Sequence, residues 1–392
     1  MTVRVGIIGI GQQGSMYSSV VAHGKLMGND IGTVEGMELG AVCDISPERK
    51  TWAAETIPNV PFFTDYIEMM DSGLVDAVFV VVPHYLHPEM AIEAMKRNLH
   101  VLVDKPAGVY TKQVKEMNEF AATKPELKFA MMFNQRMNPL YIKLKEIMDS
   151  GVIGEIRRTN WMITTWWRPE GYYQMSEWRA TWGGEGGGVL INQAPHQIDL
   201  WQWLCGMPTK VLAKASYGSQ RNIAVEDDVT ALVEYANGAT GSFITCVHDL
   251  MGTDRFEILG DKGKIVVDGS KKITLKVLNE PEQEISKNLS FDDMKQLFMG
   301  GGIGDRVTES TFEFDDQWGI QHKDVMKNFA SAILNDTPLV AHGSEGINAL
   351  SITNAMHLSS WLGEEVSLPI DEDLYFAKLQ EKIDEETAKK AN

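Results

Sequence analysis

The sequence predicts an α/β protein in two parts: a doubly wound parallel sheet, then a mainly antiparallel sheet that also carries helices. Three observations predict it. Short apolar runs alternate with helical patterns through the first third of the chain. A glycine-rich turn joins the first run to the first helix, and longer strands separated by tight-turn signals fill the middle.

The runs short enough to be buried parallel strands are residues 3–8, 37–43, 76–82, 100–103 and 127–133. Helical patterns at 15–22, 47–56, 88–97 and 112–122 lie between them. In such a sheet ligands bind beyond the carboxyl ends of the strands, so the residues that end each run are the first site candidates.

Gly9-Ile10-Gly11-Gln12-Gln13-Gly14 ends the first run. Gly9 permits the tight turn, Gly11 lets backbone approach a pyrophosphate, and Gly14 lets the helix pack close to the strand. Gln12 and Gln13 sit at the positive end of that helix, which favours an anion. A strand before and a helix after give the pattern its weight. The second run ends at Asp44, whose carboxylate suits both ribose hydroxyls and would repel a 2′-phosphate, favouring NAD over NADP. Its distance from the glycines exceeds the usual ~20 residues, which implies an insertion around residues 27–36. The alternative for Asp44 is a cap on the helix that opens at Pro47.

Three more strand ends carry polar residues. Val82 runs into Pro83-His84-Tyr85-Leu86-His87, Val103 into Asp104-Lys105-Pro106, and Phe133 into Asn134-Gln135-Arg136. All three should open onto the edge that holds the glycine turn. Lys105 is the most informative, because an ammonium at the end of a buried strand is costly to desolvate and needs a charge or ligand to meet. Pro83, His84, His87, Asp104 and Asn134 are candidates to line a cofactor site; either histidine fits an exposed loop equally well.

Gly151-Val152-Ile153-Gly154 follows a helix at 141–148 and marks a change of pattern. Strands are expected at 155–164, 210–217, 228–235, 240–248, 253–259, 264–267 and 272–277. Asn237-Gly238 and Asp261-Lys262-Gly263 read as hairpin turns, so this sheet should be largely antiparallel. Helical patterns return at 196–204, 322–334, 346–362 and 374–390, and the glycines of 299–304 suggest a loop. The division expected is residues 1–135 and 136–392.

Trp161, Trp166, Trp167, Tyr172, Tyr173, Trp178 and Trp182 crowd one segment with Arg168 and Arg179. Aromatic faces suit the C–H faces of a sugar ring and arginine suits hydroxyls or a carboxylate; a subunit interface is enriched in the same residues. Downstream, Gly186-Gly187-Gly188 leads to Asn192, Pro195, His196 and Asp199. Pro195 suggests that His196 opens a helix, whose positive end would depress the imidazole pKa and keep an acid/base group near neutrality. Asp199, three residues on, shares its face. The triple glycine points to backbone close to a ligand rather than to a merely capping histidine.

A formal net charge of −18 argues against nucleic acid and anionic membranes as partners. Three scattered cysteines without metal-ligand spacing suit a reducing cytosol, and a strand directly after Met1 leaves no room for a signal peptide. No apolar stretch approaches the ~20 residues of a membrane span. A cytoplasmic protein without a metal site is expected.

As a set, these residues resemble the glucose-fructose oxidoreductase/inositol dehydrogenase/rhizopine-catabolism (Gfo/Idh/MocA) family. The resemblance runs through Gly9 to Gly14, Pro83 to His87, Asp104-Lys105-Pro106, Gly186 to Asp199, Val225-Glu226-Asp227-Asp228 and Phe256-Glu257-Ile258-Leu259-Gly260. It implies a Rossmann domain followed by an α/β domain on an open, mainly antiparallel sheet, which would join subunits into a homodimer or homotetramer. It also implies an NAD(P)-dependent oxidoreductase acting on a secondary alcohol of a sugar, sugar derivative or inositol-like polyol, with NAD the expected cofactor. Lys105 matches the catalytic lysine and His196 the acid/base. Asn192 stands where the family usually has a carboxylate, and Asp104 where it has glutamate. An amide cannot ionise, so Asn192 would orient a hydroxyl instead. Tyr141, Trp167 and Arg168 would help hold the ring. The rival readings are a glycosidase that keeps NAD bound and oxidises transiently, and a sugar sensor that binds NAD without reaction.

Overall fold

The computed structural model describes residues 2–301, 306–315 and 319–391. Residues 302–304 of the expected glycine loop lie outside them; Leu297–Gly301 forms a helical turn.

Six strands form the first sheet, in the order Phe62–Phe63, Met37–Cys43, Val3–Ile8, Ala77–Val80, His100–Val103, Phe129–Met131. Every pairing is parallel. The strand order reverses at Val3–Ile8, which pairs with Met37–Cys43 on one side and Ala77–Val80 on the other. That reversal opens a crevice at the carboxyl edge, directly beyond the glycine turn. The runs are apolar because both faces are covered: Val5, Ile7, Val78, Phe79, Val101 and Leu102 are fully buried. The inserted segment forms a small hairpin, Lys25–Leu26 against Asn29–Asp30.

One layer over this sheet comes from the far end of the chain. The helix Ile320–Asn335 places Val325, Met326, Phe329 and Ala330 in the same buried cluster as Val5, Phe79 and Leu102. The carbonyl of Ala341 then accepts from the Met131 N–H at 3.1 Å. Packing therefore crosses residue 135 in both directions.

The second sheet has nine strands, in the order Val307–Glu313, Lys272–Leu278, Gly263–Asp268, Asp254–Gly260, Ile156–Ile163, Thr240–Cys246, Glu226–Glu234, Lys210–Tyr217, Val366–Ser367. It is mixed: Ile156–Ile163 and Thr240–Cys246 run parallel, and the other pairs are antiparallel. Alternation assigns the faces. Trp161, Phe243 and Phe256 point inward, where Trp161 stacks on Phe256 at 4.3 Å and Phe243 on Trp201 at 5.5 Å. Trp201 belongs to the helix Pro195–Cys205, so this stack seats that helix on the sheet. Met162, Leu212, Leu232 and Leu259 face outward and are exposed. Cys246, Asp228 and His248 lie together on this sheet, with their ligand-type atoms within 4.8 Å of one another.

Candidate active site

The glycine turn is built as its chemistry requires. Gly9 has φ +85°, and a Cβ there would stand 2.3 Å from the Val81 carbonyl oxygen. A Cβ on Gly14 would meet the Gly9 oxygen at 1.9 Å, whereas one on Gly11 would meet nothing within 4 Å. Gly11 thus borders open space at the start of the helix Gln12–His23, whose first turn has no acidic residue and no side-chain cap. Its free N–H groups fit the pyrophosphate of NAD. The Asp44 carboxylate accepts from the N–H of Ile10 at 2.8 Å and of Ser46 at 2.9 Å. It is therefore fixed beside the turn, with lone pairs left for ribose hydroxyls.

Next along the edge, the Tyr17 hydroxyl donates to Asp104 at 3.1 Å. Burial pushes the Asp104 carboxyl up, while Lys105 and His87 oppose that rise. The His87 ring is buried with Nδ1 2.7 Å from the Pro106 carbonyl and Nε2 2.7 Å from that of Val82. Burial lowers its pKa below 6.5, although both carbonyl contacts and Asp104 oppose that shift. His87 is thereby a brace beneath Lys105 rather than a loop residue, and His84 is equally interior, its Nδ1 3.0 Å from the Glu185 carbonyl.

Lys105 crosses to the other half of the molecule. Its Nζ donates to the backbone carbonyl of Asn192 at 2.7 Å. Burial lowers its pKa; Asp104 and Glu185 counteract. His196 is the second residue of the helix Pro195–Cys205 and lies edge-on to Phe133 at 6.5 Å. Its pKa is pushed well below 6.5, first by burial and then by Lys105 and His322. The direction is the one a helix end predicts, but burial is the main cause and carries the pKa well below neutrality rather than near it. Its Nδ1 is buried without a hydrogen-bond partner.

The expected partners of His196 are engaged elsewhere. Asp199 forms a two-pronged pair with Arg136, at 2.8 and 2.7 Å, with both side chains only 1% exposed. Arg136 also reaches Glu345 at 2.7 Å. The Asn192 amide donates to Glu185 Oε1. The glycines before it are packed closely against protein. A Cβ on Gly186 would meet Val109 at 2.3 Å, and one on Gly188 the Glu226 carbonyl oxygen at 2.2 Å. Buried Glu226 then accepts from the N–H groups of Gly188 and Leu190, which fixes the loop ahead of His196.

The aromatic segment divides. Trp161 and Trp182 are core residues. Trp178 packs on His84 at 5.8 Å, and the Arg179 guanidinium lies 4.5 Å from the Tyr172 ring centre. Arg168 lies over Tyr172 at 5.1 Å and Trp167 is exposed beside it. Tyr141 does not join the group: it is 1% exposed, and its hydroxyl meets Ser270 Oγ at 2.8 Å. Asn134 is buried 3.4 Å from His322 Nδ1. Sequence reasoning passed over His322, whose pKa burial takes to about 4, together with Tyr17 and Glu185, and named Arg136 only as part of a polar strand end. Glu185 is set among glycines, but nothing local in the sequence marks it as part of the site.

Comparison with known proteins identifies the family. The family "Oxidoreductase family, NAD-binding Rossmann fold" matches residues 3–132, and the GFO/IDH/MocA C-terminal domain matches residues 141–266. The chain is 24% identical over 378 residues to myo-inositol 2-dehydrogenase of Thermotoga maritima, covering 94% of this chain and 99% of that one. Levoglucosan dehydrogenase of Pseudarthrobacter phenanthrenivorans is 24% identical over 72% of this chain and 77% of its own. Among solved structures, the WlbA dehydrogenase of Bordetella pertussis, in complex with NADH and UDP-GlcNAcA, aligns with TM-score 0.74 at 24% identity, over 95% of this chain and all of that one. Two matched domains in order, over the glycine turn and the Lys105 edge, place this chain in the GFO/IDH/MocA oxidoreductase family, with an NAD-binding Rossmann domain at its amino-terminal end.

Proposed function

We propose that the chain is an NAD-dependent dehydrogenase that oxidises a secondary alcohol of a sugar, sugar derivative or cyclic polyol, or reduces the matching ketone. The observation that carries this reading is the Lys105 Nζ, 2.7 Å from the Asn192 carbonyl and near enough to buried His196 to help depress its pKa. NAD supplies the hydride acceptor, C4 of its nicotinamide. Gly9, Gly11, Gln12, Gln13 and Gly14 cradle its phosphates, Asp44 its ribose, and Pro83, His84, His87, Asp104 and Asn134 shape the inner wall. Neutral imidazole at 196 takes the hydroxyl proton as the carbon loses hydride with its electron pair, leaving a ketone. Lys105 donates to the reacting oxygen and stabilises its developing negative charge. Asn192 orients the hydroxyl, and Trp167 and Arg168 wall the ring; Tyr141 supports the sheet beneath.

The Asp44 carboxylate favours NAD over NADP. Outward-facing Met162, Leu212, Leu232 and Leu259 support a homodimer or homotetramer through the second sheet. Among the described residues no helix is long and apolar enough to cross a membrane, and we read the protein as cytoplasmic. We keep 135/136 as the division between domains, with residues 320–345 returning to the first. The test is a panel of polyols and sugars assayed for NADH formation with wild type and Lys105→Ala. The variant should lose turnover and keep NAD binding; near-normal turnover would overturn the assignment.

A further inference from the structure

The site holds a buried carboxylate at the Asn192 side chain. Glu185 is 1% exposed and reaches that side chain from seven residues upstream. Its Oε2 accepts from the Ala180 N–H at 2.6 Å and its Oε1 from the Asn192 side-chain amide. The Arg179 guanidinium stands 3.7 Å from Oε1, and Lys105 is close enough to favour its charge. Its backbone carbonyl meets His84. Such a buried acid is costly unless it has a task or full compensation.

We propose that Glu185 is the positioning carboxylate of this site. It tethers Asn192 Nδ2, which turns Oδ1 toward the reacting hydroxyl, and it balances the Lys105 ammonium. The charge sits one hydrogen bond away from substrate, and the amide makes the contact. This rests on the dehydrogenase reading above.

Burial raises Glu185 to about 7, against the pull of Ala180, Arg179, Asn192 and Lys105. The sign follows: Glu185 is charged above that pH, and tethering weakens as pH falls through it. Tyr173 also lies within electrostatic reach of Glu185. The neighbouring histidines do not supply this transition, since burial holds His84 and His196 well below 6.5 and His322 at about 4. Burial likewise lowers His87, which is braced by two carbonyls, below 6.5.

The test combines kinetics with infrared spectroscopy on the full chain. Wild-type kcat should fall below about pH 7. Glu185→Gln should lower kcat about 100-fold with little change in KM, abolish that limb and leave the melting temperature near wild type. Asn192→Asp alone should be impaired by two adjacent carboxylates. The swap Glu185→Gln/Asn192→Asp should recover most of the lost kcat. A swap no better than the product of its single variants would overturn the proposal. Independently of turnover, pH-difference infrared spectra should show one carboxyl titrating near 7 that Glu185→Gln removes; its absence overturns the proposal. If wild type turns over nothing in the panel, the dehydrogenase reading fails, and the infrared result still decides whether Glu185 is this ionising group.

Discussion

The pair between Arg136 and Asp199 joins the two halves of the site, and its removal has a predictable cost. Arg136 follows the last strand of the first sheet, and Asp199 sits one turn beyond His196 on the helix Pro195–Cys205. Asp199→Ala removes two charge-assisted hydrogen bonds of 2.8 and 2.7 Å and leaves a guanidinium that is 1% exposed. Stranding one partner of a buried pair costs about 3–5 kcal/mol. Glu345, 35% exposed, still meets Arg136 and compensates in part, which points to the lower end, about 3 kcal/mol. Urea unfolding followed by tryptophan fluorescence reads this directly, because the Trp203 ring lies 5.2 Å from the Arg136 guanidinium. The midpoint should fall with little change in slope. Turnover should fall too, since the same helix carries His196. Arg136→Met/Asp199→Leu should be more stable than Asp199→Ala, because it strands no charge. A loss below about 1 kcal/mol for Asp199→Ala would refute this reasoning, leaving the pair no more than a surface-like contact.

Two glycine substitutions should separate cofactor binding from folding. Gly11→Ala meets open space, so stability should change by less than about 1 kcal/mol while the Kd for NAD rises at least about tenfold. Gly14→Ala drives a Cβ to 1.9 Å from the Gly9 oxygen and should lower the melting temperature as well; calorimetry and titration with NADH check both. Asp44→Ala should weaken NAD and narrow its advantage over NADP, as measured by kcat/KM for each; an unchanged ratio would remove Asp44 from the ribose site. Glu226→Gln should loosen the loop before His196, read as faster hydrogen exchange at the N–H groups of Gly188 and Leu190, which it now holds at 2.8 and 3.0 Å.

Much of this was legible in the sequence because it is local. The first strand, Val3–Ile8, and the glycine turn follow from an apolar run ending in residues that only a tight turn and a helix start can use. Helices such as Gly346–Leu362 announce themselves by length. The strand Phe62–Phe63 and the helix Tyr66–Asp71 are too short to show a period, and they were missed. The site was harder to read, because side-chain partners are chosen in three dimensions. Asp199 shares a helical face with His196, but Arg136, distant in sequence, offers a full charge and two aligned donors. Tyr141 is aromatic and near the right segment, yet core packing against Trp161 claims it. Nothing local marks Glu185 as buried; that follows from Trp178, Trp182 and His84 closing around its loop.

If the proposed function holds, hydride should pass directly between the substrate carbon and NAD beside Lys105 and His196. The most direct measurement uses a substrate from the active panel carrying deuterium on its carbinol carbon, with mass spectrometry of the NADH formed. NADH bearing one deuterium should accumulate in step with ketone, and the reaction should slow if hydride transfer limits the rate. Consumption of substrate without labelled NADH would contradict it and point instead to a cofactor that is oxidised and restored within each cycle.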